Sequence, residues 1–133
     1  MDAPAISLLS VTPLYAALLG LIFIPYTMRV GFYRGKSKIF LGEGGDEELL
    51  RRVRGQGNFI ETVPIALLLL VVMELTGAGN NWLHALGAIL VFGRLSHYIG
   101  ITEIGPFLLR PLGMFSTLGV YIASCGWLLY NTL

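Results

Sequence analysis

Three stretches of this chain, residues 3–28, 75–93 and 111–133, contain no Asp, Glu, Lys or Arg. A helix needs roughly 20 apolar residues to cross the ~30 Å hydrocarbon layer of a bilayer, and each stretch supplies about that many. Backbone amides inside lipid find no water, so runs of this kind satisfy their hydrogen bonds internally, as helices. The chain is 55% hydrophobic and 13% charged, against about 25% charged in a soluble domain. Pro13 and Pro25 lie in the first stretch, where a membrane helix tolerates proline better than a soluble one does. Trp82 and Tyr130 lie near ends of the other two, placed to anchor at the membrane interface.

A further span is less obvious. Only twelve uncharged residues separate Glu61 from Glu74, too few to cross a bilayer alone. The helix nevertheless begins well upstream, in "GEGGDEELLRRVRGQGN". The glycines break the chain, Asp46 can cap the helix, and Glu47 and Glu48 suit the positive end of its dipole. A helix over 47–76 is about 45 Å long at 1.5 Å per residue, so its first turns project beyond the hydrocarbon layer. Glu74 falls near the opposite interface and reads as solvated. The expected architecture is an all-α integral membrane protein. One domain, 1–133, holds four transmembrane helices in an antiparallel bundle, with spans at about 6–33, 47–76, 81–101 and 107–131.

The basic residues orient it. Arg34, Lys36, Lys38, Arg51, Arg52 and Arg54 flank the first connection, while "TGAGNN" and both termini have none. The positive-inside rule therefore predicts cytoplasmic first and third loops and external termini. "MDAPAISLLS" lacks the basic start of a secretory signal and reads as mature protein. No basic run with interleaved aromatics suggests nucleic acid, and a lone Cys125 excludes an internal disulfide or a cysteine metal cluster. With only His84 and His97 besides, no metal site is expected.

Arg51, Arg54, Asn58 and Glu61 follow 3, 4, 3 spacing and form one polar stripe on the second helix. Pro64 leaves the Ile60 carbonyl free near that stripe. Gly55 and Gly57 lie between, where small residues admit a neighbouring helix or a ligand. Arg94 and His97, with Tyr98 beside them, punctuate an otherwise apolar third helix, Arg110 opens the fourth, and Arg29 closes the first. Charges at membrane depth cost roughly 2.5–3.5 kcal/mol each, so they face protein or water. Two readings stay open for Arg54 and Glu61: a structural ion pair, or part of a ligand site. Arg34 and Arg51 read as snorkelling to the interface. Arg29, Arg54, Arg94 and Arg110 outnumber Glu61, and that excess calls for an anion. Gln56, Asn58 and Glu61 add partners for amides and an amine, which together suit a small, multiply charged, peptide-like ligand.

"RGQGNFIETVP", "GRLSHY" and "LLRPLGM" together also carry a family pattern. The chain resembles, along its whole length, the membrane-associated proteins in eicosanoid and glutathione metabolism (MAPEG), especially the short bacterial members. The resemblance implies a homotrimer of four-helix subunits in the bacterial inner membrane, binding glutathione between neighbours. It assigns Arg54, Asn58 and Glu61 to the glutathione peptide and Gln56 to a further ligand contact. Arg94, His97 and Tyr98 are assigned to the third-helix contacts, and Arg29 to a basic position ending the first helix. Arg110 matches the arginine that activates the thiol. Ile101 stands where a tyrosine is common, Pro111 where the prostaglandin E synthase has serine, and Gly57 where that enzyme has an arginine.

The implied activity is a glutathione transferase, or a glutathione peroxidase, acting on a lipophilic electrophile or lipid hydroperoxide that enters from the bilayer. Two other classes fit a four-span chain of this size. One is a non-catalytic membrane scaffold or lipid-binding relative of the same family, against which Arg110 and the polar stripe speak. The other is a small multidrug transporter, which would need a carboxylate free of the arginines that surround Glu61.

Overall fold

The computed structural model describes residues 8–133, which form four helices and no strand. The helices are α1 (Thr12–Ser37), α2 (Glu47–Leu75), α3 (Asn80–Ile101) and α4 (Leu109–Thr132). The start of the first expected span, residues 6 and 7, lies outside the described residues. α1 runs on to Ser37, one turn past the expected end at 33.

Helix ends follow local chemistry in two places and distant chemistry in a third. Asp46 caps α2: its carboxylate accepts the Leu49 N–H at 2.9 Å. Glu47 and Glu48 pair with Arg51 and Arg52 one turn on. α1 ends at Lys38 in a left-handed conformation, φ 58°, and Gly42, Gly44 and Gly45 continue the turn with positive φ. Glycine reaches such angles without the penalty a Cβ brings, and three of the four left-handed positions in this turn are glycines.

The start of α1 has no side-chain cap of its own. Glu74, at the far end of α2, does that work. It accepts the backbone N–H groups of Ser10 (2.6 Å), Val11 (2.7 Å) and Thr12 (2.7 Å), and both the Ser10 and Thr12 hydroxyls. The expectation of a solvated Glu74 is therefore corrected. A helix start leaves its first donors unpaired, and here a carboxylate from a neighbouring helix takes those of Val11 and Thr12, while Pro13 has none to offer.

α1, α2 and α4 are each long and apolar enough to cross a membrane. α3 matches the hydrocarbon thickness in length, about 33 Å for 22 residues, and carries His84, Arg94 and His97 among its apolar residues. Near its C-terminal end the polar groups turn inward: Arg94, Ser96, His97 and Tyr98 are all buried, whereas His84 is exposed. α2 and α3 each touch the three other helices, whereas α1 and α4 do not touch one another. α3 can carry polar groups because protein, rather than lipid, surrounds them.

The core between the helices is apolar, with Leu19, Val63, Ala66, Leu70, Met73, Leu83 and Leu90 buried together. At one end α3 and α4 pack backbone to backbone. A Cβ on Gly113 would strike the α3 backbone at Gly93 and His97, and one on Gly100 would strike the Arg110 backbone. These two glycines let α4 begin directly against α3, and so fix where Arg110 emerges.

Candidate functional site

The site begins with a buried arginine. Arg94 is 2% exposed, and its guanidinium reaches across the bundle from α3. It donates to the Asn58 Oδ1, to the Thr62 Oγ1 (3.0 Å) and to the Gly113 carbonyl (3.2 Å). Thr62 in turn donates to the Asn58 carbonyl at 2.7 Å, and the Tyr121 hydroxyl donates to the Thr62 carbonyl. One cation thus ties α2, α3 and α4 together and holds the Asn58 amide in place. Its bonds go to neutral groups, and charged donors make the stronger hydrogen bonds.

In front of this network lies a cavity of about 210 Å³, lined by Leu50, Arg51, Arg54, Asn58, His97, Ile101 and Arg110. Three guanidinium groups, an amide and an imidazole converge there, and no carboxylate is in the lining. The stripe on α2 supplies Arg51, Arg54 and Asn58; α3 supplies His97 and α4 supplies Arg110.

Arg54 also faces Glu61 at 3.5 Å, and the two side chains are 54% and 56% exposed. Gly57 lies under that pair: a Cβ there would sit 3.8 Å from the Arg54 Nη1 and 3.9 Å from the Glu61 Oε1. Glu61 is beside the cavity rather than in its wall.

Four of the expected residues are held by other partners. Gln56 donates to the Thr27 hydroxyl on α1 at 3.1 Å. Arg29 lies over the Tyr98 ring, 5.5 Å from its centroid. Tyr98 is buried, stacked on Tyr26 at 3.5 Å and wedged against Gly55, where a Cβ would come within 2.9 Å of its ring. Arg94 stands behind Asn58, outside the cavity wall. Pro64 lines a separate apolar cleft with Phe23, Phe59, Ile60 and Val63.

Arg51 was expected to snorkel. It lines the cavity instead, paired with Glu47 and with Glu103 of the α3–α4 connection, each at 3.1 Å. Its place three residues before Arg54, on the same stripe, was the available signal. The part of Met114 had no signal: its sulfur lies 3.7 Å from the Asn58 Nδ2, across α4.

Arg110 and Arg29 are the arginines at this end whose guanidinium groups make no hydrogen bond or ion pair among the described residues, and Arg29 is covered by the Tyr98 ring whereas Arg110 is not. Arg110 lines the polar cavity and also an apolar cleft of about 280 Å³ formed with Phe107, Pro111, Met114 and Phe115. One free guanidinium therefore stands between a polar compartment and an apolar one. Of the departures from the family pattern, Ile101 lines the first compartment and Pro111 the second.

Over 90 residues, 68% of this chain, the sequence is 38% identical to the inner membrane protein YecN of Escherichia coli (strain K12), of which the match covers 69%. The inner membrane protein YecN of Escherichia coli O6:H1 matches to the same extent. The MAPEG family model matches residues 12–130, from the first turn of α1 to the last turns of α4. The chain is a membrane protein of the MAPEG family.

Proposed function

We propose that this protein is a glutathione transferase, with peroxidase activity as the alternative outcome of the same chemistry, and that it works as a homotrimer. The observation that carries this reading is Arg110, a guanidinium with no hydrogen-bond or ion-pair partner among the described residues, at the junction of a polar cavity and an apolar cleft. Glutathione would place its carboxylates and amides against Arg51, Arg54 and Asn58, with its thiol toward Arg110. A free thiol has a pKa of about 8.5, so only a few per cent is nucleophilic near neutrality. A fixed cation beside sulfur favours the thiolate, and arginine remains charged even when partly desolvated. The sulfur then bonds to an electrophilic carbon in the apolar cleft as that carbon's leaving group departs. With a hydroperoxide it instead takes the terminal oxygen, breaking the O–O bond to release an alcohol. The sulfenic acid left behind is converted by a second glutathione to the disulfide and water.

What one chain leaves unfinished supports the trimer. Its cavity of about 210 Å³ is smaller than the roughly 300–1,000 Å³ typical of small-molecule pockets. The Arg54–Glu61 pair is more than half exposed on a helix that enters the membrane, where a charged group needs protein, ligand or water around it. A neighbouring copy covering this face would complete the pocket and bring Glu61 to the ligand amine. By the positive-inside rule, this end faces the cytoplasm and both termini face outward, in a bacterial inner membrane. Glutathione would then enter from the cytoplasm.

A transporter that trades protons for cations needs an accessible carboxylate in the membrane. Glu61 is engaged by Arg54, and the cavity lining is cationic. The direct test of the chemistry is ultraviolet titration of the thiolate of bound glutathione. The wild type should show a thiol pKa well below the free value, and Arg110→Ala should return it toward that value while glutathione still binds. An unshifted thiol in the wild type would sink the activating role.

A further inference from the structure

Most exposed apolar side chains of this protein lie on helix faces that lipid or another chain covers. The connections are another matter. The α1–α2 connection presents Phe40 and Leu41, 72% and 92% exposed. The α3–α4 connection presents Phe107 and Leu108, 68% and 75% exposed, with Ile104 nearby. The α2–α3 connection, residues 76–79, consists of Thr, Gly, Ala and Gly and presents no large apolar group. The Arg51–Glu103 ion pair joins the start of α2 to the α3–α4 connection, so the two apolar tips share one end of the bundle.

These tips are braced. Arg34 donates to the Ile39 carbonyl (3.1 Å) and the Gly42 carbonyl (2.7 Å), closing the turn that displays Phe40 and Leu41. The Ile39 side chain folds inward, where a Cβ on Gly44 would meet it at 3.4 Å. At the base, the Tyr33 hydroxyl donates to Asp46, and Arg52 covers the Tyr33 ring at 4.6 Å. The other turn is closed by the Ile104 and Gly105 N–H groups on the Ile99 carbonyl, at 3.1 and 3.3 Å. Ordering two turns so that large apolar groups point outward is unfavourable in water.

Charge indicates what they meet. Lys36 and Lys38 precede the first tip and make no ion pair among the described residues, and Arg110 follows the second. Glu43 is the one acid between Lys38 and Asp46. Apolar tips beside basic groups, at the end of spanning helices, fit the interface of a bilayer rich in anionic headgroups.

We infer that both connections are membrane-surface anchors: Phe40–Leu41 and Phe107–Leu108 dip into the anionic leaflet next to the bundle that carries them. Because Phe107 also lines the apolar cleft beside Arg110, this seats the mouth of that cleft at headgroup depth. The inference is independent of what the cavity binds.

The test uses the full chain in a Cys125→Ser background, with spin labels at Leu41→Cys, at Leu108→Cys and, on the α2–α3 side, at Asn81→Cys. The protein is reconstituted in vesicles of phosphatidylcholine, with or without phosphatidylglycerol. Depth is read from relaxation by oxygen against a water-soluble nickel chelate. The labels at 41 and 108 should lie about 5–10 Å into the interface, deeper in the anionic vesicles, and Lys36→Gln/Lys38→Gln should abolish that lipid dependence at position 41. Labels at 41 and 108 as open to the chelate as the one at 81 would overturn the inference. So would spin–spin broadening between copies without lipid contact, which would make the tips a subunit interface.

Discussion

Glu74 at one end of the bundle and Arg110 at the other are both charged groups near a helix start, and they are treated in opposite ways. Glu74 accepts three backbone N–H groups and two hydroxyls at the head of α1, so little of its hydrogen-bonding capacity remains. Arg110 has no partner among the described residues and looks into two cavities. A satisfied charge holds the fold; an unsatisfied one in a shaped cavity is available to a ligand. Arg94 shows that the distinction is not acid against base, because that cation is buried and bonded to three groups on two other helices.

The contrast can be broken by removing one kind of charge at a time. The largest effect should come from Arg110→Ala, which should lower glutathione conjugation by roughly 10²–10³-fold, the range for losing one positioned group that stabilises developing negative charge. Its melting temperature in detergent should stay close to wild type, since no side-chain hydrogen bond or ion pair among the described residues is lost. Full turnover in this variant would end the thiol-activating role.

Next is the junction that aims Arg110. Gly113→Ala drives a Cβ into the α3 backbone, and overpacking of this kind costs about 1–3 kcal/mol. Thermal unfolding should show the loss, accompanied by reduced turnover because α4 shifts. A variant with wild-type melting and activity would mean that the helices separate freely there.

Glu74→Ala should destabilise the protein by about 1 kcal/mol, the typical value of a helix cap, while glutathione affinity stays unchanged. Hydrogen exchange at Ser10–Thr12 should quicken first. Smaller still is the effect of Glu61→Gln on stability, about 0–1 kcal/mol for so exposed a pair; glutathione affinity should nevertheless fall. A loss of stability with unchanged affinity would make that pair structural.

Asp46, the side-chain cap of α2, gives a pH signature. The Leu49 N–H first, then the Tyr33 hydroxyl, hold its carboxyl below the usual carboxylate range. A depressed folded-state pKa adds stability above the unfolded value, lost as pH falls through the folded one. The melting difference between wild type and Asp46→Ala should therefore be full near neutrality and shrink in acid. A difference that is constant across that range would show that the cap acts without its charge.

What could be read in advance follows the range of the interactions. The start of α2 was legible because its signals sit within a few residues: breaking glycines, Asp46 as cap and two glutamates in the first turn. The polar stripe was legible because helical spacing alone puts Arg51, Arg54 and Asn58 on one face. Glu74 was not, since its partners lie 62–64 residues away in the chain. Arg51 was misread for a related reason: Glu103, which holds it at the cavity, belongs to the other connection. Nor does any pattern of spacing show that Arg94 spends its donors inside the bundle while Arg110 keeps its own free.

The central claim is that the arginine cavity binds glutathione through its carboxylates and amides, with the thiol left to Arg110. Calorimetric titration of the detergent-solubilised protein with glutathione and with ophthalmic acid, which lacks the thiol, tests it most directly. Saturable binding of both, weakened in Glu61→Gln, is the predicted result. No heat from either ligand, with the protein folded, would contradict the account and leave the arginine stripe a structural feature of the bundle.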